Sequence, residues 1–371
     1  MNHGKTQLVF FNLGFAGGTN ILAIFRPLNS ICIMIKLFTT VILIFVFSSF
    51  TSFSQPKIIF DTDIGGDADD LGALAMLHNY MKRGDCELLA IMVWSTDEYA
   101  VPAVDAINRF YLNPNIPIGT RKDPTYTSET NYNKVIADNF DYKLTYKDVP
   151  DAVDLYRKIL ASAADTSITV VTVDPLLNIQ RLLQSKADKY SPLNGSELIT
   201  KKVKGFVMMG GKFPKGDNEW NFNGNMPGVT KYVIENLKVP IVFSGYELGV
   251  EIQTGKTFNN IDKDTPLYQG FMHFSKHAAW MKDRFKGAIL NNASYDQTAV
   301  LYAVNGGVDV LWEKISGGYC EADDVGGNRW IKRENSNHSY LKLIETPEFM
   351  AGLIEAIMLN KFDDIVPKQE D

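Results

Sequence analysis

The hydrophobic residues of this chain form short apolar runs that alternate with segments of helical periodicity. Apolar or β-branched runs, which are typical of buried strands, occur at 57–60, 87–94, 168–173, 204–209 and 239–243. Segments with apolar residues at helical spacing follow the first four runs, at 71–77, 101–111, 174–184 and 227–237. Strands that alternate with helices build a largely parallel sheet. We therefore predict an α/β fold, with an open, mostly parallel, Rossmann-like sheet flanked by helices.

The domain organisation follows from the same pattern. Residues 55–371 contain no internal repeat and no linker, so they are expected to form a single domain. Residues 124–149 are polar and aromatic without a clear period. This segment is predicted to be a long loop over the functional site, since binding residues are often carried on loops.

A cluster of acidic residues follows the first predicted strand. Within ten residues the chain places five aspartates: Asp61, Asp63, Asp67, Asp69 and Asp70. Gly65 and Gly66 between them indicate a sharp turn from strand to helix. In open α/β sheets such turns lie at the carboxyl ends of strands, where ligands bind. Because clustered carboxylates repel one another, the cluster must be solvated or must hold a cation.

Other classes of protein fit this cluster less well. The twelfth position of an EF-hand calcium loop is a glutamate, whereas Gly72 stands there, and a strand rather than a helix precedes the loop. A dehalogenase-like phosphotransferase needs threonine or valine at the position of Gly65. A solvated acidic helix start is favoured by the helix dipole, but it does not account for Asp61 and Asp63 at the strand end.

Composition narrows the range of partners. The formal net charge is −6, and residues 1–54 contain no acid, so the negative charge resides entirely in the remainder. An acidic chain without a basic stripe argues against nucleic acid as a partner. The chain has three cysteines, Cys32, Cys86 and Cys320. After export the last two would remain, and the sequence leaves open whether they form a disulfide or stay as free thiols.

The N-terminal region has the features of a signal peptide. Lys36 is a short positive region, 37–50 is an apolar stretch shorter than a comfortable membrane span, and Ser52-Phe53-Ser54 is a small-x-small cleavage site. Met34 is the expected true start. The alternative is an uncleaved membrane anchor. We expect a secreted or periplasmic protein with no stable membrane insertion after processing.

We expect cleavage after Ser54, and we expect expression from Met34 to suffice. N-terminal sequencing of protein from its native host measures this directly. A mature chain that still carries residues 1–33 would contradict both expectations.

Three further polar motifs fall at predicted strand ends, at 171–179 (VTVDPLLNI), 208–225 (MMGGKFPKGDNEWNFNGN) and 294–304 (SYDQTAVLYAV). Together with DTDIGGDADDLGAL they resemble, in order, four motifs of the inosine–uridine-preferring nucleoside hydrolase family. Those motifs are Asp-x-Asp-Pro-Gly-x-Asp-Asp-Ala, Gly-Pro-Leu-Thr-Asn-Ile, Met-Gly-Gly with Glu-Phe-Asn-Phe, and His-Asp-Pro-x-Ala-Val-Ala-Tyr. The resemblance spans roughly 57–307. Four motifs in order are specific, whereas any one alone is weak.

The resemblance implies one bound calcium ion. The positions that match the family's ligands are the carboxylates of Asp63, Asp70 and Asp296 and the backbone carbonyl of Val173. Oxygen-only ligands suit a hard cation of this size. Asp69 matches the family's general base, but two inserted residues make Asp67 a rival for that role.

The resemblance also implies a riboside site. Glu219 and Asn221 match residues that bind the ribose hydroxyls, and Met209 matches a residue under the sugar. Asn178 matches a motif asparagine. Taken without the family, Met209 reads as ordinary core packing and Asn178 as a loop or helix cap.

Several positions depart from the family pattern. Tyr295 stands where many members have a histidine that protonates the leaving base, and a phenol with a pKa near 10 suits that role less well. Asp174 replaces a glycine, and Ser95-Thr96 replaces an asparagine. The pair His273 and His277, at helical spacing, could face the pocket or simply lie on an amphipathic helix. Ribosyl recognition is thus retained while base recognition is rebuilt.

The sequence therefore predicts an exported, calcium-dependent hydrolase of the N-glycosidic bond of a nucleoside or related N-riboside. The alternative is a non-catalytic, calcium-dependent sugar- or nucleoside-binding protein on the same fold. The expected partner is a small molecule. The sequence leaves the identity of the base and the oligomeric state open, a homo-oligomer included.

Overall fold

The computed structural model describes residues 55–122 and 131–362. The upstream segment and the expected signal peptide lie outside the described residues, so export stays a prediction. Within the described ranges, no helix has the length and apolar character needed to cross a membrane.

Ten strands of the described chain form one sheet in the order β3-β2-β1-β4-β5-β7-β12-β10-β11-β6, and β8 pairs with β9 separately. The strands are β1 (Lys57–Thr62), β2 (Glu87–Val93), β3 (Ile118–Thr120), β4 (Ile168–Val173), β5 (Val203–Met209), β6 (Lys215–Gly216), β7 (Ile241–Ser244), β8 (Gln253–Thr254), β9 (Asn292–Ala293), β10 (Trp312–Ala322), β11 (Asn328–Lys332) and β12 (His338–Leu343).

Helices flank this sheet. They are α1 (Asp69–Arg83), α2 (Ala100–Phe110), α3 (Asn133–Asn139), α4 (Ala152–Ser162), α5 (Leu177–Gln184), α6 (Gly195–Lys202), α7 (Trp220–Asn223), α8 (Val229–Asn236), α9 (Tyr246–Gly249), α10 (Pro266–His277), α11 (Tyr295–Asn305) and α12 (Pro347–Met358), with short 3₁₀ turns at Lys256–Asn260 and Lys282–Arg284.

The predicted α/β class is confirmed. In the part of the sheet ordered β3-β2-β1-β4-β5-β7-β12, every pair of neighbouring strands is parallel. Successive side chains of a strand point to opposite faces. In β1 this places Ile58 and Phe60 in one hydrophobic core and Ile59 in the other. Each face is covered by helices, as the apolar runs without strict alternation require.

The C-terminal edge of the sheet was not predicted. β10 lies antiparallel to β12, β11 lies antiparallel to β10, and the short β6 pairs with β11. Asn328, the first residue of β11, accepts a hydrogen bond from Lys212 N at 2.9 Å and donates one to Lys212 O at 2.9 Å. The distant C-terminal strands therefore hold the loop that follows β5.

Helices α1 and α11 pack against each other, and both begin at the same end of the sheet. Their approach depends on Gly72, because a Cβ there would come within 2.5 Å of Gln297 Nε2. Glycine inside a helix costs roughly 0.5–1 kcal/mol relative to alanine. The close approach brings together the first turns of the two helices, which carry Asp69, Asp70 and Asp296.

Two expectations are settled by the fold. The segment 124–149 is not a loop throughout, since α3 occupies part of it; residues 123–130 lie outside the description. A short helix without a strong apolar period gives little sequence signal. Cys86 and Cys320 are both buried free thiols, which settles the alternative that the sequence left open.

Candidate active site

The acid turn, residues 61–70, connects β1 to α1 at the carboxyl end of the central strands. Asp69 and Asp70 occupy the first turn of α1, where the helix dipole favours negative charge. Ala68 provides no side-chain cap. Instead Thr62 donates its hydroxyl to Asp70, and Asp70 N donates to Asp69 Oδ1 at 3.2 Å. The turn is therefore held together largely by its own side chains.

Three buried carboxylates converge at this turn. Asp69, Asp70 and Asp296 each bring one oxygen to within 4.8 Å of the others. Burial raises the pKa of all three well above the usual range, and the neighbouring carboxylate charges raise it further. A divalent cation among them would offset both effects, since oxygen donors are what calcium or magnesium binds. The residues present thus fit a bound metal ion.

The other two predicted ligands lie at the same place in the sheet. Val173 ends β4 and is paired in register with Thr62 of β1, so its carbonyl lies at the level of the acid turn. Asp63 is half-buried and lines the same cavity, but it is not one of the three converging carboxylates; its Oδ2 accepts from Trp220 Nε1 at 2.9 Å. Burial raises the pKa of Asp63 to about 6.

Asp67, the rival base, is directed by a neighbouring amide. Its Oδ1 accepts from Ala68 N and from the side chain of Asn292 at the end of the separate β8–β9 pair. Burial raises the pKa of Asp67 to about 6. Asp67 and Asp69 both line the cavity, so the structure brings both candidate bases to the site.

The cavity above the acid turn has a volume of about 760 Å³. Met209, Glu219 and Asn221 all line it. The Glu219 carboxylate accepts from three backbone N–H groups, those of Gly211, Asn221 and Phe222, at 2.8–3.1 Å. Asn221 Nδ2 donates to Met209 O at 3.2 Å. These contacts fix both side chains before any ligand binds.

Asn178 lies apart from the other predicted substrate residues. It is buried and does not line the cavity; its Nδ2 donates to Asp61 Oδ1 at 2.8 Å. Tyr156 OH donates to Asp61 Oδ2 at 2.9 Å. Asp174 is buried beside this group. Asn178 and Tyr156 thus support the strand end of the acid turn from behind.

Aromatic side chains surround the cavity entrance. Tyr295 stacks on Tyr246, with ring centroids 5.1 Å apart and planes inclined by 24°. Burial raises the pKa of Tyr295, and the neighbouring Tyr246 phenol raises it further. Trp220 and Trp280 line the cavity while remaining 50% and 58% exposed. Large exposed apolar rings beside a cavity are typical of a binding surface.

The two histidines of α10 do not contribute to the cavity. The rings of His273 and His277 contact each other with centroids 4.1 Å apart and planes inclined by 30°, and His277 Nδ1 lies 2.9 Å from His273 O. Neither lines the cavity. The sequence left open whether they face the pocket or lie on an amphipathic helix, and in the structure they lie on a helix face outside the cavity lining.

Several cavity residues were missed from the sequence: Trp94, Asn131, Lys212, Tyr246 and Trp280. Trp94 directly follows β2, and Tyr246 lies two residues after the end of β7, so the strand-end rule could have found both. Asn131 and Trp280 lie in irregular segments, where periodicity gives no signal.

The fold and this cavity define an α/β protein with an acidic site at the carboxyl ends of its parallel strands. A sequence profile of the inosine-uridine preferring nucleoside hydrolases matches residues 58–350. The chain belongs to that family. The match covers all four motifs and extends past residue 307, where the motif resemblance ends. No curated protein matches the chain significantly.

Solved structures share the fold. An inosine-guanosine nucleoside hydrolase superposes with a TM-score of 0.55 at 18% identity, over 83% of this chain and 99% of that one. The type III effector XopQ, solved in complex with adenosine diphosphate ribose, has a TM-score of 0.56 at 13% identity, over 83% of this chain and 94% of that one. The effector XOO4466 has a TM-score of 0.60 at 14% identity, over 83% of this chain and 93% of that one. At these identities the likeness is one of fold.

The converging carboxylates predict opposite effects of one substitution. In chelator, Asp296→Asn should raise the melting temperature, because it removes one buried charge from a repelling group and breaks no side-chain hydrogen bond found among the described residues. With a saturating divalent cation the same variant should melt lower than wild type, because a metal ligand is lost. A metal at one hundred times its Kd stabilises the wild type by about 2.7 kcal/mol.

Thermal melts of both proteins with calcium and with chelator measure this. Asp217→Asn, at an exposed acid of the same cavity, is the matched control and should shift neither melt appreciably. Equal effects of Asp296→Asn in both conditions would contradict a metal site at these carboxylates.

Proposed function

We propose that the protein is a calcium-dependent hydrolase of an N-ribosyl bond, acting on a nucleoside or a related N-riboside. The observation that carries the proposal is the joint presence, in one cavity, of buried converging carboxylates and of the pre-oriented pair Glu219 and Asn221. Family membership supports this class of reaction. The adenosine diphosphate ribose in the XopQ structure supports a ribosyl ligand.

In this proposal Asp63, Asp70, Asp296 and the Val173 carbonyl would hold the metal. When bound, calcium supplies Lewis-acid activation of a water molecule. The acid turn places Asp69 next to Asp70, within reach of the same region. Asp69 then acts as general base, taking the proton as the water attacks the anomeric carbon of an oxocarbenium-like transition state.

The sugar is held on the β5 side. Asn221 Nδ2 donates to Met209 O, so Asn221 Oδ1 is the atom that remains to accept a hydrogen bond from a ligand. The Glu219 carboxylate is held in place by backbone N–H groups and is also an acceptor. Acceptors of this kind suit ribose hydroxyl groups, which donate. Asn178 contributes by holding Asp61 rather than by contacting the sugar.

Leaving-group activation is the step in which this chain differs from its family. Tyr295 lies at the start of α11 beside Asp296 and lines the cavity. We assign it as the donor to the departing base. Its pKa is raised by burial, so the phenol stays protonated but donates less readily than an imidazolium would.

The same observation favours a second candidate function. If Tyr295 cannot donate, the site becomes a calcium-dependent binder of ribosides without turnover. The exposed aromatic rings at the cavity entrance are compatible with either function. Released reducing sugar, with and without calcium, distinguishes them.

We expect Asp69→Asn to lower turnover by at least about a hundredfold, since general-base help is typically worth 10²–10⁴, while metal-dependent melting largely survives. Asp67→Asn should be milder, because its carboxylate is directed by Asn292. Steady-state rates and thermal melts of both variants measure this. An inactive Asp67→Asn beside an active Asp69→Asn would exchange the two roles.

The leaving group gives a separate prediction. We expect efficient cleavage of p-nitrophenyl riboside, whose leaving group needs no proton, and weak cleavage of inosine and uridine. Tyr295→Phe should slow the nucleosides and leave the nitrophenyl substrate nearly unchanged, because it keeps the stack on Tyr246. Equal slowing of both substrates would assign Tyr295 a structural role. Cleavage of neither by wild type would favour the binding function.

A further inference from the structure

Asn131 is a cavity residue to which neither the sequence motifs nor the proposed mechanism assign a role. It lies after β3, is only 8% exposed, and lines the cavity beside Gly66. A nearly buried amide must satisfy its polar atoms or leave them to a ligand. Its hydrogen bonds therefore decide what it offers to the cavity.

The orientation of this amide is fixed by its own segment. Asn133 N donates to Asn131 Oδ1 at 2.8 Å, which identifies that atom as the oxygen and uses it. Among the described residues, Asn131 Nδ2 has no hydrogen-bond partner within bonding distance. The donor end of the amide is thus the part left for a ligand.

The segment is anchored to the acid turn. Tyr132 N donates to Gly65 O at 3.3 Å, and Asn133 Nδ2 donates to Ile64 O at 2.8 Å. Gly65 has a φ of +129°, and a Cβ there would lie 2.3 Å from Asn131 Nδ2. The absence of a side chain at Gly65 is what lets Asn131 sit against the turn.

The rest of the cavity is rich in acceptors. Asn221 Oδ1 and Glu219 come from the segment after β5, and the floor consists of carboxylates. In the sheet order β3 and β5 lie on opposite sides of β1. A riboside has hydroxyl donors on its sugar and, in a nucleobase, carbonyl or imine acceptors on its leaving group. The hydroxyl donors of the sugar therefore complement the acceptors on the β5 side of the cavity. The acceptor atoms of the leaving group complement the Asn131 amide donor on the β3 side.

We propose that Asn131 determines leaving-group specificity, by donating from Nδ2 to an acceptor atom of the leaving group next to the ribosyl bond. This inference rests on the proposed riboside ligand but not on hydrolysis. The substrate class it names is ribosides whose leaving group carries such an acceptor, in contrast to those whose leaving group carries none.

Two uncleavable ligands test it without turnover. Pseudouridine is a C-riboside whose ring carries carbonyl acceptors, and phenyl C-riboside has the same sugar with a ring that carries none. Isothermal titration calorimetry in calcium gives a Kd for each. Wild type should prefer pseudouridine. Asn131→Ala should weaken pseudouridine about threefold to tenfold, the loss of one neutral hydrogen bond, and leave phenyl C-riboside within twofold.

A second variant separates contact from folding. Asn131→Asp retains an oxygen acceptor for Asn133 N–H and replaces the Nδ2 donor with an oxygen, so it should also lose the preference for pseudouridine. Asn139→Ala, at an exposed amide on α3, should keep both affinities. Thermal melts check that all three variants fold.

The outcomes are distinct. Equal weakening of both ligands by Asn131→Ala would mean that the amide contacts the sugar, and unchanged binding of both would mean no contact; either result overturns the inference. A wild-type preference for pseudouridine without hydrolysis of any riboside would overturn the hydrolase function and leave the role of Asn131 standing. Binding of neither ligand would overturn both.

Discussion

Electrostatic repulsion between carboxylates is the constraint on which the rest of this structure depends. Asp69, Asp70 and Asp296 are each almost entirely buried, and burying several like charges together is among the costliest arrangements a fold can contain. Two helices and a strand end are positioned to bring them within a few ångströms of each other. Such an arrangement is stable with the carboxylates ionised only when a cation is bound. The site is therefore built for a charge that the chain itself does not supply.

That constraint explains features that otherwise look unfavourable. A glycine inside α1 permits the approach of α11, and a glycine with positive φ permits the approach of Asn131. Gly72 weakens its own helix, whereas Gly65 adopts a backbone conformation that other residues rarely reach. Asp61, buried behind the turn, is held by the side chains of Asn178 and Tyr156. The surrounding chain thus gives up local stability to hold the acid turn in one conformation.

The sequence predicted the parallel half of the sheet well because those strands are buried on both faces and appear as continuous apolar runs. The predicted strand 168–173 agrees with β4 at both ends. It also located the residues at strand ends, since a parallel sheet gathers those ends at one edge. It did not predict β10 and β11, whose exposed and buried positions are irregular. The sequence did not show that Asn178 donates to Asp61 behind the acid turn, because a motif gives the order of residues but not the direction in which a side chain points.

The edge of the sheet has a consequence for the order in which the protein becomes functional. Lys212 lies in the loop that leads to Glu219, and its partner Asn328 is 116 residues further along the chain. Contacts between such distant segments form late, because closing a long loop costs entropy before any contact repays it. The converging carboxylates span an even longer stretch of chain, since Asp296 lies 226 residues beyond Asp70. During synthesis, the nascent chain therefore completes neither its acidic floor nor the wall that carries Glu219 until its C-terminal third has emerged.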